Sequence, residues 1–336
     1  MIAGRAAVLG AGAWGTALAC LLSSRGHPTV LWARRAEVAR ALREDRENTT
    51  YLPAVPLPPT LQVTADLGEA VAAAGLVLFA VPAQHLRTIA AQVAPSLRDA
   101  PLIVSAAKGL EVATGSRMTE VLTATLPAPC AGRLAALSGP TFAAEVSWGL
   151  PAAAVVAAAD AAVGAAVQQA LSGPTFRLYV TTDLLGVELA GAVKNVVAIA
   201  AGLADGLALG ASARASLITR GLAELSRLGR ALGARPETFA GLAGMGDLFL
   251  TCSSDLSRNR TVGLELGRGR ALPEILAGRN TVAEGVETAR AVKAVAARFG
   301  VETPICAQVH AILFEGRPPR EALTLLMTRE LKFEAE

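Results

Sequence analysis

Gly10-Ala-Gly12-Ala-Trp14-Gly15 stands directly after a short apolar run and directly before the helical run Thr16–Ser24, which closes at Gly26. In that order the three glycines suit the pyrophosphate of a dinucleotide. Gly10 permits the tight turn, Gly12 lets backbone amides approach the anion, and Gly15 lets helix and strand pack closely, with the helix N-terminus facing the phosphates. The second strand of such a unit ends at Arg34-Arg35. An acidic residue there would read the ribose of NAD, whereas guanidinium groups suit a ribose 2′-phosphate, so NADPH/NADP is favoured. Glu37 is also within reach of the ribose and keeps NADH/NAD open. The arginine pair would equally serve as a solvated basic turn.

A second group of residues could act on a small substrate. Lys194-Asn195 lies in the apolar segment Leu189-Ala-Gly-Ala-Val-Lys-Asn-Val-Val-Ala-Ile. An ammonium centred there must snorkel, find a partner or face a cavity. A lysine so held is a general-acid candidate, because hydride reduction of a ketone leaves an alkoxide that needs a proton. Pairing with Glu188 competes weakly, since Glu188 is six residues upstream and on another helical face. Lys108-Gly109 follows small apolar residues, where strand ends line the crevice of an open α/β sheet; an ordinary exposed lysine fits as well. Ser138-Gly-Pro-Thr141-Phe-Ala143-Ala-Glu145 ends a strand and turns, with Thr141 placed either to cap the next helix or to meet a ligand. In Gly244-Met-Gly246-Asp247-Leu-Phe-Leu-Thr251-Cys252, Asp247 could orient a lysine or receive a substrate hydroxyl. Beyond it Ser257, Arg258 and Asn259 offer a forked donor and hydrogen bonds to a phosphate. A polar surface loop with an aspartate N-cap explains the same segment. Asn280-Thr-Val282-Ala-Glu284-Gly-Val-Glu287 reads as a helix start with acidic residues in its first turn.

These residues need elements to position them. Short apolar runs alternate with helical patterns through the first half, which predicts βα units and a mostly parallel, doubly wound sheet. The strands expected are Ala6–Leu9, Thr29–Ala33, Leu61–Thr64, Leu76–Val81, Leu102–Ser105, Leu134–Leu137, Ala153–Ala157 and Phe176–Val180. After Asp183 no convincing strand follows, and helices separated by Gly, Pro and Asn are expected. The 336 residues suit about two domains. The predicted division is 1–183 for a dinucleotide-binding domain and 184–336 for an all-helical one.

Composition narrows the classes. Hydrophobic residues make up 52% of the chain, but the apolar run Leu184 to Leu209 carries Glu188, Lys194, Asn195 and Asp205, which predicts a buried helix or helix pair and no integral membrane segment. A net charge of +3, with no basic block, argues against nucleic acid and for a small anionic ligand. Cys20, Cys130, Cys252 and Cys306 form no CxxC pair and are expected as reduced cytosolic thiols. Three glycines interrupt the Ala6 to Leu22 run that would otherwise imitate a signal peptide. His27, His85 and His310 stand alone, so no metal site is expected; neither a nucleophile elbow nor a P-loop lysine is present.

Taken together, GAGAWGTALA, SAAKGLE, SGPTFAAE, ELAGAVKNVVAIAAG, GLAGMGDLFLTCSSDLSRNR and NTVAEGV resemble, in order, the blocks of bacterial NAD(P)-dependent glycerol-3-phosphate dehydrogenases. The resemblance implies reversible conversion of dihydroxyacetone phosphate and sn-glycerol 3-phosphate, which supplies glycerophospholipid backbones in the cytoplasm. It implies a Rossmann domain followed by an all-helical domain like that of 6-phosphogluconate dehydrogenase, with substrate in the cleft between them. Lys194 matches the family's catalytic lysine. Lys108, Gly139, Thr141, Asp247, Ser257, Arg258 and Asn259 match its substrate positions. Ala13, Trp14, Arg34, Arg35, Tyr51, Lys108, Ala143, Arg258, Val282 and Glu284 match its cofactor positions, beside Gly10, Gly12 and Gly15 of the glycine turn. Ala13 departs from the serine of many relatives, a change that leaves the backbone amide in place. Two rival readings are a reductase for a hydroxy acid or ketopantoate on the same plan, and an NADPH-sensing regulator. The assembly stays open, a homodimer included.

Overall fold

The computed structural model describes residues 4–97, 100–277, 282–331 and 333–334. Among the described residues there are ten strands: β1 (Arg5–Leu9), β2 (Thr29–Trp32), β3 (Glu47–Asn48), β4 (Leu52–Pro56), β5 (Gln62–Thr64), β6 (Ala74–Phe79), β7 (Leu102–Ser105), β8 (Leu134–Ser138), β9 (Ala152–Ala158) and β10 (Phe176–Thr181). Eight of them form one sheet in the order β10-β9-β8-β7-β6-β1-β2-β5. Neighbours are parallel except β8 and β9, which run antiparallel. The central strands are continuous apolar runs because both faces are covered. Leu76 and Leu78 join one core cluster while Val77 and Phe79 join another, the two-residue period sending alternate side chains to opposite faces.

From β1 the chain moves outward to β2 and later returns to the opposite side as β6. That reversal opens a crevice at the carboxyl end of β1, where Gly10 stands. Gly10 has φ +116, and a Cβ there would meet the Ala80 carbonyl oxygen at 2.6 Å. A Cβ on Gly15 would lie 1.9 Å from the Gly10 carbonyl oxygen, so only glycine lets the first helix leave the strand so sharply. That helix spans Ala13–Ser24 and begins a turn earlier than the expected Thr16, because Gly12 is already its N-cap.

Several strand ends differ from expectation by a residue or two, as β1, β2 and β6 show. The hairpin β3–β4 was not expected at all; its two-residue first strand and its prolines at Pro53 and Pro56 give no alternating pattern.

Beyond Thr181 no strand occurs among the described residues. The helix Leu184–Gly206 is long and apolar enough to cross a membrane, but 89% of its apolar window is buried inside the protein. It is the axis of the helical half, and Arg258–Gly267 crosses it at glycines. A Cβ on Gly202 would sit 1.9 Å from the Arg260 carbonyl oxygen, and one on Gly263 1.9 Å from that of Ile199. Small residues on both helices let the backbones touch, and this contact brings Ser257–Asn259 beside Lys194 and Asn195.

Candidate active site

Lys194 is centred in the Leu184–Gly206 helix, 5% exposed. Its Nζ donates to Oδ1 of Asp247 and, at 2.8 Å, to Oγ1 of Thr251. Asp247 is the first residue of the helix Asp247–Ser253, entered through a single π-type turn at Leu242–Gly246. Thr251 follows four residues later on the same face and donates to the Asp247 carbonyl oxygen at 2.6 Å. The surface-loop reading of this segment is therefore wrong: Asp247 is 1% exposed and its carboxylate has no role as a helix cap.

The second oxygen of Asp247 accepts from Lys108 Nζ at 2.6 Å. Lys108 arrives from the sheet side, after β7, and also donates to the Gly139 carbonyl oxygen at 3.0 Å. Two ammonium groups thus share one carboxylate, which leaves a unit of positive charge for an anion or a developing alkoxide. Burial pushes the Lys194 ammonium down to about 7; Asp247 opposes that shift and Lys108 adds to it. Burial alone would raise the Asp247 carboxyl, but Lys108 and Lys194 together hold it below the usual carboxylate range. Glu188 stays out of the site. It accepts from Arg117 at 2.8 Å and from the Thr119 backbone at 2.8 Å, on the face away from Lys194.

A chain of amides ties the pieces together. Gly285 N donates to Asn259 Oδ1 at 2.9 Å, Asn259 Nδ2 to Asn195 Oδ1 at 2.9 Å, and Asn195 Nδ2 to the Lys108 carbonyl oxygen at 3.3 Å. Glu284 opens the helix Glu284–Arg298, with Glu287 also in its first turn, as expected; Asn280 and Thr281 lie outside the described residues. The Glu284 carboxylate accepts from Ala83 N at 3.1 Å, and burial pushes its carboxyl up to about 7, against the pull of Arg258.

Lys108, Lys194, Asn195, Asp247, Thr251, Asn259 and Glu284 face one cleft of about 720 Å³. Gly10, Ala13, Trp14, Arg34, Arg35, Tyr51 and Ala143 line it toward the glycine turn. Lys108, Thr141, Lys194, Asp247, Ser257, Arg258, Asn259, Val282 and Glu284 line the remainder. Gly12, Gly15 and Gly139 are not among its walls; Gly12 caps the helix, Gly15 packs it, and Gly139 reaches Lys108 through its carbonyl. Thr141 does not cap the following helix. Phe142 holds the N-cap position of Ala143–Ser147, and the Thr141 hydroxyl donates to the Gly139 carbonyl oxygen at 3.3 Å. Ser257 does cap: its Oγ accepts from Arg260 N at 3.2 Å, which sets Arg258 at the first position of a helix with no acidic residue in its first turn.

Thr251 and Asn195, to which the sequence reading gave no role, line the cleft and hydrogen-bond Lys194 and the Lys108 backbone. The signal for Thr251 was its spacing from Asp247, four residues on one helical face.

The cleft suits a nicotinamide dinucleotide. No side chain caps the N-terminus of the Ala13–Ser24 helix, no acidic residue stands in its first turn, and a Cβ built on Gly12 meets nothing within 4 Å. Open, uncapped amides of this kind accept a pyrophosphate. Arg34 and Arg35, just past β2, line the same cleft.

Comparison with known proteins agrees. Residues 5–164 match the family model for the NAD-dependent glycerol-3-phosphate dehydrogenase N-terminus, and residues 183–324 match that for the C-terminus. The chain is 50% identical over 330 residues to glycerol-3-phosphate dehydrogenase (NAD(P)+) of Geobacter sulfurreducens, covering 98% of each. It is 50% identical over 328 residues to the protein of that name from Nitratidesulfovibrio vulgaris strain Hildenborough, covering 98% of this chain and 99% of the relative. The crystal structure of glycerol-3-phosphate dehydrogenase from Coxiella burnetii superposes with a TM-score of 0.93 at 37% identity, covering 98% of this chain and all of that one. On this full-length agreement in sequence and structure, the chain belongs to the NAD-dependent glycerol-3-phosphate dehydrogenase family.

Proposed function

We propose that the protein is an NAD(P)+-dependent glycerol-3-phosphate dehydrogenase that reversibly reduces dihydroxyacetone phosphate to sn-glycerol 3-phosphate, with NADPH preferred and NADH accepted. The observation that carries this reading is the Lys194 ammonium, held by Asp247 and Thr251, in the same cleft as the glycine turn and Arg258. The chain divides at 183/184 in this reading, each part lending one wall to the cleft.

The cofactor supplies the hydride. Gly10, Gly12, Ala13, Trp14 and Gly15 would hold its pyrophosphate, Arg34 and Arg35 its 2′-phosphate, and Tyr51, Ala143, Val282 and Glu284 the remaining surface. Arg258 and the N-terminus of its helix hold the substrate phosphate, a charge-assisted contact remote from the reacting carbon. Lys108, Thr141, Ser257 and Asn259 complete the substrate wall, with Gly139 behind them holding Lys108 through its carbonyl oxygen. Lys194 donates a proton to the carbonyl oxygen as that oxygen gains charge, and in the reverse direction accepts it. Asp247 fixes the Nζ of Lys194, and its carboxylate opposes the loss of the proton that burial favours.

The test follows loss of reduced-nicotinamide absorbance with dihydroxyacetone phosphate, with NADPH and NADH in parallel and unphosphorylated dihydroxyacetone as control. Phosphate-dependent oxidation is expected. Equal rates on the unphosphorylated ketone would move the assignment to another reductase, and binding of NADPH without turnover would move it to a regulator.

Three wider proposals accompany this one. The product supplies glycerophospholipid synthesis. The chain works in the cytoplasm, where its four free, buried cysteines stay reduced. It assembles as a homodimer, which light scattering of the purified protein tests.

A further inference from the structure

The unexpected hairpin β3–β4 reaches into the dinucleotide site. Asn48, 3% exposed, donates from Nδ2 to the Ala11 carbonyl oxygen at 3.0 Å and to Thr16 Oγ1 at 2.8 Å. Ala11 lies within the glycine turn and Thr16 in the first turn of the helix that follows. The Asn48 Oδ1 accepts from Tyr51 N at 3.2 Å, and both Ala11 and Tyr51 line the cleft. An independent apolar contact does the same job from the other side of the hairpin. Leu52 and Val55 pack with Ala17 against Trp14, Ala143 and Ala144. Glu47 closes the hairpin, its carboxylate accepting from Ala54 N at 2.8 Å.

We propose that Asn48 is a positioning residue for the nicotinamide dinucleotide, and that the Glu47–Pro56 hairpin is a brace fixing the Gly10–Gly15 turn and Tyr51 in their ligand-receiving arrangement. The inference rests on the dinucleotide reading of the cleft. The glycines leave the turn free to adopt many backbone conformations, and a free turn would lose entropy on gripping a pyrophosphate. One buried amide that bonds the turn, the helix and Tyr51 at once removes that freedom before the ligand arrives. A primary amide is the group the position needs: its NH2 serves two acceptors while its oxygen serves the Tyr51 N–H. No hydrogen bond or ion pair among the described residues joins the brace to Arg34 or Arg35, and Arg35 pairs with Glu37, so the brace acts on NADPH and NADH alike.

The test measures cofactor Kd by fluorescence titration and calorimetry on the full chain, beside the urea unfolding midpoint and kcat at saturating cofactor. Asn48→Ala is expected to weaken NADPH and NADH together by about tenfold, the scale of one or two lost buried hydrogen bonds. Its kcat at saturation stays within about threefold of the parent, since Lys194 and Asp247 are untouched. Thr16→Val, which removes one acceptor at nearly constant volume, weakens both cofactors in the same direction by less, and decides the matter if Asn48→Ala does not fold. A folded variant with lower stability but unchanged Kd would reduce Asn48 to a structural residue and overturn the proposal. Loss of NADPH alone, or a fall in kcat with Kd kept, would overturn it too. If the parent protein binds neither cofactor, it is the dinucleotide reading itself that falls.

Discussion

Lys108 Nζ lies 2.6 Å from Asp247 Oδ2, so the carboxylate that holds Lys194 also fastens the sheet half to the helical half. Asp247→Asn keeps the shape and removes the charge. Lys108 and Lys194 then lose their shared counter-ion; breaking a buried pair costs up to about 3–5 kcal/mol, and less where Lys194 releases its proton. We expect a clear fall in Tm. Turnover at neutral pH should fall as well, since burial and Lys108 push the Lys194 ammonium lower once Asp247 no longer opposes them. The pH profile of reduction should shift to lower pH in this variant. A profile that coincides with the parent's would show that Asp247 does not tune Lys194.

The direction of catalysis should depend on pH in opposite senses. Burial holds the Lys194 ammonium down to about 7. Ketone reduction needs its protonated form, so kcat/KM for reduction is full below that value and declines as pH rises through it. Alcohol oxidation needs the neutral amine and rises over the same interval. Profiles in both directions on one preparation check this; parallel slopes would exclude Lys194 as the shared acid and base.

Removal of the amine separates chemistry from binding. Lys194→Ala should lower kcat by about 10²–10⁴-fold, the usual worth of a general acid, while NADPH affinity is nearly kept. Titration of NADPH into the variant, beside its steady-state rate, gives both numbers. Normal turnover refutes the role.

Arg258 is expected to act on binding. It stands at the first position of its helix and lines the cleft that Lys194 also lines. Arg258→Ala should raise KM for dihydroxyacetone phosphate by about 10- to 100-fold, the scale of one or two charge-assisted hydrogen bonds. An unchanged KM would place the substrate phosphate elsewhere.

The parts of the site that were legible are those where a residue contradicts its surroundings. An ammonium inside an apolar helix demands a partner or a cavity, and Lys194 has both. The glycine turn was legible because Gly10 and Gly15 stand where a Cβ would meet backbone, while Gly12 leaves open space before the helix amides. What the sequence could not reveal was contact between segments distant in the chain. Asp247 was legible as able to orient a lysine, but not which lysine: it stands on another helix than Lys194, reached through an irregular π-type turn that has no sequence period. The glycine crossing of Leu184–Gly206 with Arg258–Gly267 is equally hidden, since small residues show only that an approach is allowed, not which helix makes it. Thr141 shows the limit of capping rules: one residue's displacement moved the cap to Phe142 and turned the hydroxyl to Gly139.

Cofactor choice should follow the arginines past β2. Arg34 and Arg35 line the cleft, but Glu37 stands 3.6 Å from Arg35 Nε with both side chains exposed. A ribose 2′-phosphate gains from both guanidinium groups, whereas the 2′-hydroxyl of NADH gains little from either and can use Glu37. Replacing Arg34 and Arg35 together by alanine should raise Kd for NADPH by about 10- to 100-fold, with NADH held within about threefold. The effect should shrink with added salt, because the contacts are solvent-exposed and screened. Parallel titrations of the two cofactors at low and high ionic strength decide it: equal losses would assign these arginines to the pyrophosphate that both cofactors share, and no loss would return them to a solvated turn.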